Sequence, residues 1–392
     1  MTKGDFGGKI AWVINMTVKT FAKKAVKKAY RFSKKNTVTV IAFVAALITC
    51  FIIPPDKEYF GYIDFKTIAC LFGVLAVVRA LRNLRFFYKI ASEIVKKFKT
   101  TRRAIIALVY ITFIGSMLIA NDMALLTFLP LGYYVLRTTG QEKHMAFTFI
   151  MQNIAANLGG MLTPFGNPQN LYLYTKFEIP AGEFMAIMAV PFMVATVMIT
   201  VCCLFVKSEE LEIVDDEIVL PFKKTAIYLL LFVLSIMMVF RGVPYITGAI
   251  IIAVTIFFMD KYALKKVDYP LLMTFVFFFI FAGNMARIEM VREFFGFLLE
   301  KNTLVFSVLS CQVISNVPSA ILLSQFTDNY RELLWGVNIG GAGTLIASLA
   351  SLITLREYTK RNKGKTKEYI IKFSLYNFMF VIVLTGVMLL VK

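Results

Sequence analysis

One carboxylate, together with a scatter of amides and hydroxyls, makes up the residues of this chain best placed to do chemistry. Asp122, in Ala120-Asn121-Asp122-Met123, is the only acid deep within a long apolar stretch. A carboxylate at bilayer depth costs about 2.5–3.5 kcal/mol, so it is poorly tolerated unless it holds a small cation or carries a proton. As a helix cap it would instead stabilise the limb that follows, and the two roles can coexist. The second feature is Asn157-Leu-Gly-Gly-Met-Leu-Thr163-Pro-Phe-Gly166-Asn167-Pro-Gln-Asn170, which sets glycines, prolines and asparagines between apolar runs. Such residues open a helix, and open backbone at membrane depth must line a cavity or be buried in protein.

The opening recurs. Asn157-x-Gly159-Gly160-x-x-Thr163 matches Asn338-x-Gly340-Gly341-x-x-Thr344, and the same alignment pairs Asn167 with Ser348 and Asn170 with Ser351. A broken helix exposes N–H groups where one half starts and carbonyls where the other ends; the former suit an anion, the latter Na⁺. The expected ion site therefore comprises Asn121, Asp122, Thr163, Gly166, Asn167, Asn170, Ser315, Asn316, Ser319, Gly343, Thr344 and Ser348. Gly166 and Gly343 would admit backbone to the ion, and a candidate Na⁺ position lies near Asn121, Asp122, Asn167 and Asn316.

The elements that must carry these residues follow from composition. The 392 residues are 58% hydrophobic and include 38 Phe, which places the chain among multi-span membrane proteins. With a single His, and with Cys50, Cys70, Cys202, Cys203 and Cys311 all in apolar runs, neither a metal centre nor a disulfide is implied. No catalytic constellation sits in the apolar regions, so an enzyme is not expected, and the only cofactor expected is Na⁺ or H⁺ as a coupling ion. The formal charge of +19 fits loops facing an anionic leaflet, since no nucleic-acid motif accompanies it.

Along the chain, residues 1–37 form a basic amphipathic segment, with a solvated tail as the alternative. Apolar runs at about 38–53 and 63–79 lead into a basic amphipathic stretch ending near Arg103. Limbs at about 104–120 and 123–136, bounded by basic residues, read as a hairpin with its tip at Asn121-Asp122; two full spans with an outside turn are the alternative. The first half, 38–206, closes with an interrupted helix and a return span. The acidic linker 207–225 follows, and the second half, 226–392, repeats the order, with its tip at Ser315-Asn316 and an interrupted run at about 331–355. If the first hairpin opens inward and the second outward, most of the 43 Lys and Arg fall on one side. That bias makes the halves inverted repeats, with nine crossings, the N-terminus inside and the C-terminus outside.

Ala120-Asn-Asp-Met-Ala-Leu-Leu-Thr-Phe-Leu-Pro130, Thr163-Pro-Phe-Gly-Asn-Pro-Gln-Asn170 and Ser315-Asn-Val-Pro-Ser-Ala320 together resemble the ion transporter superfamily. The arsenite-permease-like and NhaD-like members look nearest, and the divalent-anion/sodium symporters and citrate transporters more distant. The resemblance implies an all-α polytopic membrane protein with two re-entrant hairpins, two discontinuous helices and elevator-type alternating access. It also implies hairpin tips that face a small anion or oxyanion. The dicarboxylate branch carries Ser-Asn-Thr at both tips, whereas these read Asn-Asp-Met and Ser-Asn-Val. The expected setting is the cytoplasmic membrane of a prokaryote, with lipid and a small ion as partners, no nucleic acid, and assembly as a homodimer. A Na⁺/H⁺ antiporter using Asp122, or an arsenite efflux permease, is the competing reading.

Overall fold

The computed structural model describes Ser33, residues 36–211 and residues 219–392. The expected amphipathic segment 1–37 lies almost wholly outside the described residues, as do Glu212, Asp215, Asp216 and Glu217 of the linker. All regular elements described are helices. The longer ones are α1 (Thr37–Ile52), α2 (Phe65–Asn83), α3 (Phe86–Val95), α4 (Thr101–Ile119), α5 (Asn121–Thr138), α6 (Met145–Gly159), α7 (Pro168–Lys176) and α8 (Ala181–Leu204). Beyond the linker come α9 (Phe222–Val239), α10 (Tyr245–Met259), α11 (Tyr269–Arg287), α12 (Glu289–Ile314), α13 (Asn316–Leu323), α14 (Tyr330–Gly340), α15 (Leu349–Arg361) and α16 (Thr366–Val391).

Local chemistry fixes many of the boundaries. Asp64 caps α2 by accepting the Thr67 N–H at 2.9 Å, and Asn329 caps α14 by accepting that of Glu332 at 3.2 Å; each satisfies an N–H that the first turn leaves without a helical partner. A 62° bend between α2 and α3 ends the apolar span and turns the amphipathic stretch aside. In α12 the backbone of Asn302 leaves the helical region, with φ −166° and ψ 93°. That kink separates an amphipathic first leg from the hairpin limb, and Glu332 caps the limb by accepting the Leu304 N–H at 3.2 Å.

Among the described residues, six helices are long and apolar enough to cross a membrane, or seven if the bent pair counts as one span. The nine crossings expected include the interrupted helices, whose separate halves are each too short to be counted here. The helices Thr37–Ile52 and Tyr245–Met259 are too short to pass: at about 1.5 Å per residue they fall below a hydrocarbon core of about 30 Å. Thr101–Ile119, a hairpin limb in the sequence reading, does pass. Length alone therefore does not separate a limb from a span; the geometry at its end does.

The helices pack as two groups. In one, α1 lies along α11, and α2 lies against α9 and α10; in the other, α4, α5, α6 and α8 pack with α12 to α16. Within the first group, α1 and α11 are joined by interhelical polar contacts, Thr274 to Thr39 at 2.8 Å and Asn284 to Thr49 at 3.2 Å. Two prolines interrupt long helices, and each leaves the carbonyl four residues back without its N–H. Pro191 frees the Ile187 carbonyl, which accepts from Trp335 Nε1 at 2.8 Å within the second group. Pro130 frees the Leu126 carbonyl, which accepts from Arg82 of α2 at 3.3 Å, a bond between the groups.

Candidate functional site

Both hairpins turn in a single residue of unusual backbone. Ala120 has φ 65° and ψ 150°, and Ser315 has φ 77° and ψ 159°. These are regions that L-residues rarely occupy, at a cost of about 1–3 kcal/mol each. The next residue opens the second limb the same way in both: Asn121 Oδ1 accepts the Asp122 N–H at 2.8 Å, and Asn316 Oδ1 accepts the Val317 N–H at 2.9 Å. The sharp tips favour the hairpin reading over two spans joined by an outside turn.

The interrupted helices meet through the residues that the sequence alignment pairs. Asn157 Oδ1 accepts from Ser348 Oγ at 2.8 Å, while Asn338 Oδ1 accepts from Asn167 Nδ2 at 3.3 Å. Since Asn157 aligns with Asn338 and Ser348 with Asn167, each contact is the other with the halves exchanged. Asn338 Nδ2 also donates to Asn170 Oδ1 at 2.7 Å, and Asn153 Nδ2 to Ser351 Oγ at 3.3 Å. The first tip joins this network through Asn121 Nδ2, 3.1 Å from Asn157 Oδ1; the second joins the break after α14, where the Asn316 N–H reaches the Ala347 carbonyl at 2.9 Å. Gly159 and Gly340 permit the crossing. A Cβ on Gly159 would collide with the Phe113 carbonyl of α4, and one on Gly340 would stand 2.8 Å from Cys311 Cβ of α12.

A chamber of about 450 Å³ lies between α1 and α11 on one side and both tips on the other. Asn121, Asp122, Ser315, Asn316 and Ser348 of the expected site line it, joined by Pro168 and Gln169. The first residues of four helices, Asn121 of α5, Pro168 of α7, Asn316 of α13 and Leu349 of α15, all reach it. Among the described residues, no Lys, Arg or His lines it, and Asp122 is its only charged residue. Asp122 Oδ1 and Gln169 Oε1 are buried without a hydrogen-bond partner.

The other expected residues stand behind the chamber and hold its walls. Asn170 donates to the Gly160 and Met161 carbonyls, both at 3.2 Å, satisfying groups that the helix break exposes. Asn167 donates to the Asn157 carbonyl at 3.2 Å, and Thr163 Oγ1 to Met117 of α4 at 2.7 Å. Gly166 packs against the Gly160 carbonyl and Gly343 against Gln312. Gln312 Oε1 in turn accepts the Thr344 N–H at 2.8 Å, and Ser319 bonds Ser310 across the second hairpin at 2.8 Å. Sequence reasoning passed over Gln169, although it sits inside the Asn157–Asn170 motif, and Gln312, whose partner lies beyond the second tip.

At the open end of the first hairpin the linker folds back. The Thr101 N–H donates to the Glu209 carbonyl at 2.8 Å, and the Glu209 carboxylate takes Gln141 at 2.7 Å and Lys143 at 2.6 Å. The Lys143 ammonium, then the Gln141 amide, hold the Glu209 carboxyl below its ordinary range.

Apolar helices long enough to span a bilayer, two hairpins and two interrupted helices around one polar chamber define a polytopic membrane transport protein. The chain matches the family described as CitMHS, Citrate transporter, over residues 25–330, and it belongs to that family. It is similar to the "Uncharacterized transporter MJ0456" of Methanocaldococcus jannaschii, 36% identical over 301 residues, covering 76% of this chain and 82% of the relative. It is also similar to the "Inner membrane protein YbiR" of Escherichia coli K12, 28% identical over 310 residues, with 76% and 82% covered. A 159-residue stretch is 26% identical to the "Uncharacterized transporter Rv2685" of Mycobacterium tuberculosis, covering 39% of this chain and 36% of the relative. The matching family is the citrate transporters, which the resemblance had set further away than the arsenite-permease-like and NhaD-like branch.

Proposed function

We propose that this chain is a secondary active transporter that moves a small anion or oxyanion together with Na⁺. The carrying observation is the convergence of four helix N-termini on one chamber that, among the described residues, has no basic side chain. Each N-terminus brings a partial positive charge of about half a unit. Four of them together can stand in for an Arg or Lys clamp on an anion. The cation has its own ligands in the unpartnered oxygens of Asp122 and Gln169. Hard cations gather several oxygens, whereas a proton needs one, so Na⁺ suits this pair better than H⁺.

In this reading the group α1, α2, α9, α10 and α11 is a static scaffold, and the two hairpins with the interrupted helices travel as one body. The two halves would be inverted in the bilayer, so that moving that body exposes the chamber to either side in turn. A prokaryotic cytoplasmic membrane and a homodimer seated on the scaffold complete the proposal. The competing reading, a Na⁺/H⁺ antiporter, is favoured by Asp122 being the chamber's only charge.

Flux in proteoliposomes separates the two. An inward Na⁺ gradient should drive uptake of a labelled anion from a panel of citrate, sulfate, phosphate and arsenite. Na⁺-driven proton movement with no anion uptake would replace this reading with the antiporter, and outward arsenite flux alone would replace it with an efflux permease.

A further inference from the structure

Beside the chamber lies a smaller cavity of about 60 Å³ that shares Asn121, Asp122, Pro168, Leu271 and Leu349 with it. The two are contiguous around the first hairpin tip. The smaller one adds a second acid, Asp268, and again no Lys, Arg or His among the described residues lines it. Asp268 belongs to the other helix group: it caps α11, accepting the Leu271 N–H at 3.1 Å, and it is exposed to solvent. One carboxylate is thus carried by the hairpin and the other by the scaffold, with room between them for a water or a small, partly hydrated cation.

Capping alone does not call for the charge, because Asn or Ser caps a helix as well as Asp does. Nor does Asp268 form an ion pair among the described residues. Arg82, the cation whose contact residue Leu126 lines the same cavity, is committed to the Leu126 carbonyl. The next acid along the same loop, Asp260, is engaged by the Ala263 N–H at 2.9 Å and by Asn83 at 3.0 Å. Two carboxylates around one small space repel each other unless a cation stands between them. A demand for a ligand also comes from the chamber side, where Gln169, 1% exposed, presents an oxygen without a partner.

We propose that Asp268 is a positioning acid through which Na⁺ passes between solvent and Asp122, drawing the cation to the tip from the aqueous face that carries residues 260–268. The proposal rests on the Na⁺-coupled reading above. It assigns α11 a part in ion access as well as in support.

Equilibrium binding of radiolabelled Na⁺ to the purified full chain tests it, using wild type, Asp122→Asn, Asp268→Asn, Asp268→Ser and Asp268→Glu. Asn and Ser keep the cap and remove the charge, so a loss seen in both, with unchanged thermal melting, is not a folding defect. At low ionic strength both should raise the Kd for Na⁺ about three- to ten-fold. Asp268→Glu should keep wild-type affinity. The difference should close as choline chloride is raised toward ~0.5 M, because the contribution is a screened attraction. An unchanged Kd in Asp268→Asn and Asp268→Ser overturns the proposal, and leaves Na⁺ coupling standing if Asp122→Asn abolishes binding. Wild-type binding in Asp122→Asn, or no binding in wild type, overturns the coupling reading and this proposal with it.

Discussion

The two hairpin tips share a backbone and differ in chemistry. Ala120 and Ser315 turn through the same positive-φ conformation, and Asn121 and Asn316 close the same bond to the next N–H. The residue that supplies this N–H is Asp122 in one tip and Val317 in the other. The tips are also anchored differently: the first leans on a side chain, Asn157, whereas Ser315 Oγ and the Asn316 N–H both bond the Ala347 carbonyl, at 3.1 and 2.9 Å. The difference teaches that the fold requires the turn and the asparagine, while the charge is an addition made to one half. A duplicated frame therefore holds a site whose electrostatics are one-sided.

Exchanging that charge gives the largest expected effect. Asp122→Asn should lower Na⁺-driven anion uptake about 100-fold, in the range seen when ligand geometry at an ion site is lost. Val317→Asp should weaken anion binding about tenfold by placing a like charge beside an N-terminus aimed at the anion. Equal behaviour of the two variants in the uptake assay would end the claim of one-sidedness.

The anchors come next. Asn157→Ala leaves buried groups of Ser348 and Asn121 without their partner, and should cost about 1–3 kcal/mol in a denaturation series. Asn338→Ala removes the reciprocal contacts and should cost the same within about 1 kcal/mol. A large inequality would argue against matched halves.

Smaller still is the backbone strain. Ala120→Gly should stabilise the protein by about 1 kcal/mol, because glycine occupies the turn freely. Ser315→Gly should be near neutral, since the same relief is offset by losing the bond to Ala347. Thermal melting of the purified variants compares them directly.

The smallest effect lies away from both tips. Because Lys143 and Gln141 depress the Glu209 carboxyl, its contribution is fully present above the ordinary value of 4.5 and is lost as the pH falls below it. Glu209→Gln should therefore flatten the fall in melting temperature between neutral and acid pH. The counterpart at the second hairpin is Glu332, whose carboxylate accepts the Leu304 N–H at 3.2 Å and pairs with Lys392 at 2.7 Å.

Much of this was legible in the chain. The tips, the breaks and the pairing of Asn157 with Asn338 follow from where Gly, Pro and Asn interrupt apolar runs. The assignment of roles within the motif was less legible. Asn170 and Thr163 look like ligands, yet they hydrogen-bond backbone exposed by the break, whereas Gln169 faces the chamber. Pro130 and Pro191 announce that the carbonyls of Leu126 and Ile187 lack donors, a signal that can be read four residues upstream. Their actual donors, Arg82 and Trp335, lie far away in the chain.

Sequence by itself determined where the backbone opens, because that depends on the φ freedom of glycine, the missing N–H of proline and the local capping by asparagine. Only the tertiary structure decided what the opened backbone faces. Four helix starts spread from Asn121 to Leu349 reach one chamber, and Asp268 at the start of α11 lines a cavity with Asp122 of the hairpin, through the packing of residues distant in the chain. No local pattern encodes such contacts. They arise because buried polar groups must find partners wherever packing brings them.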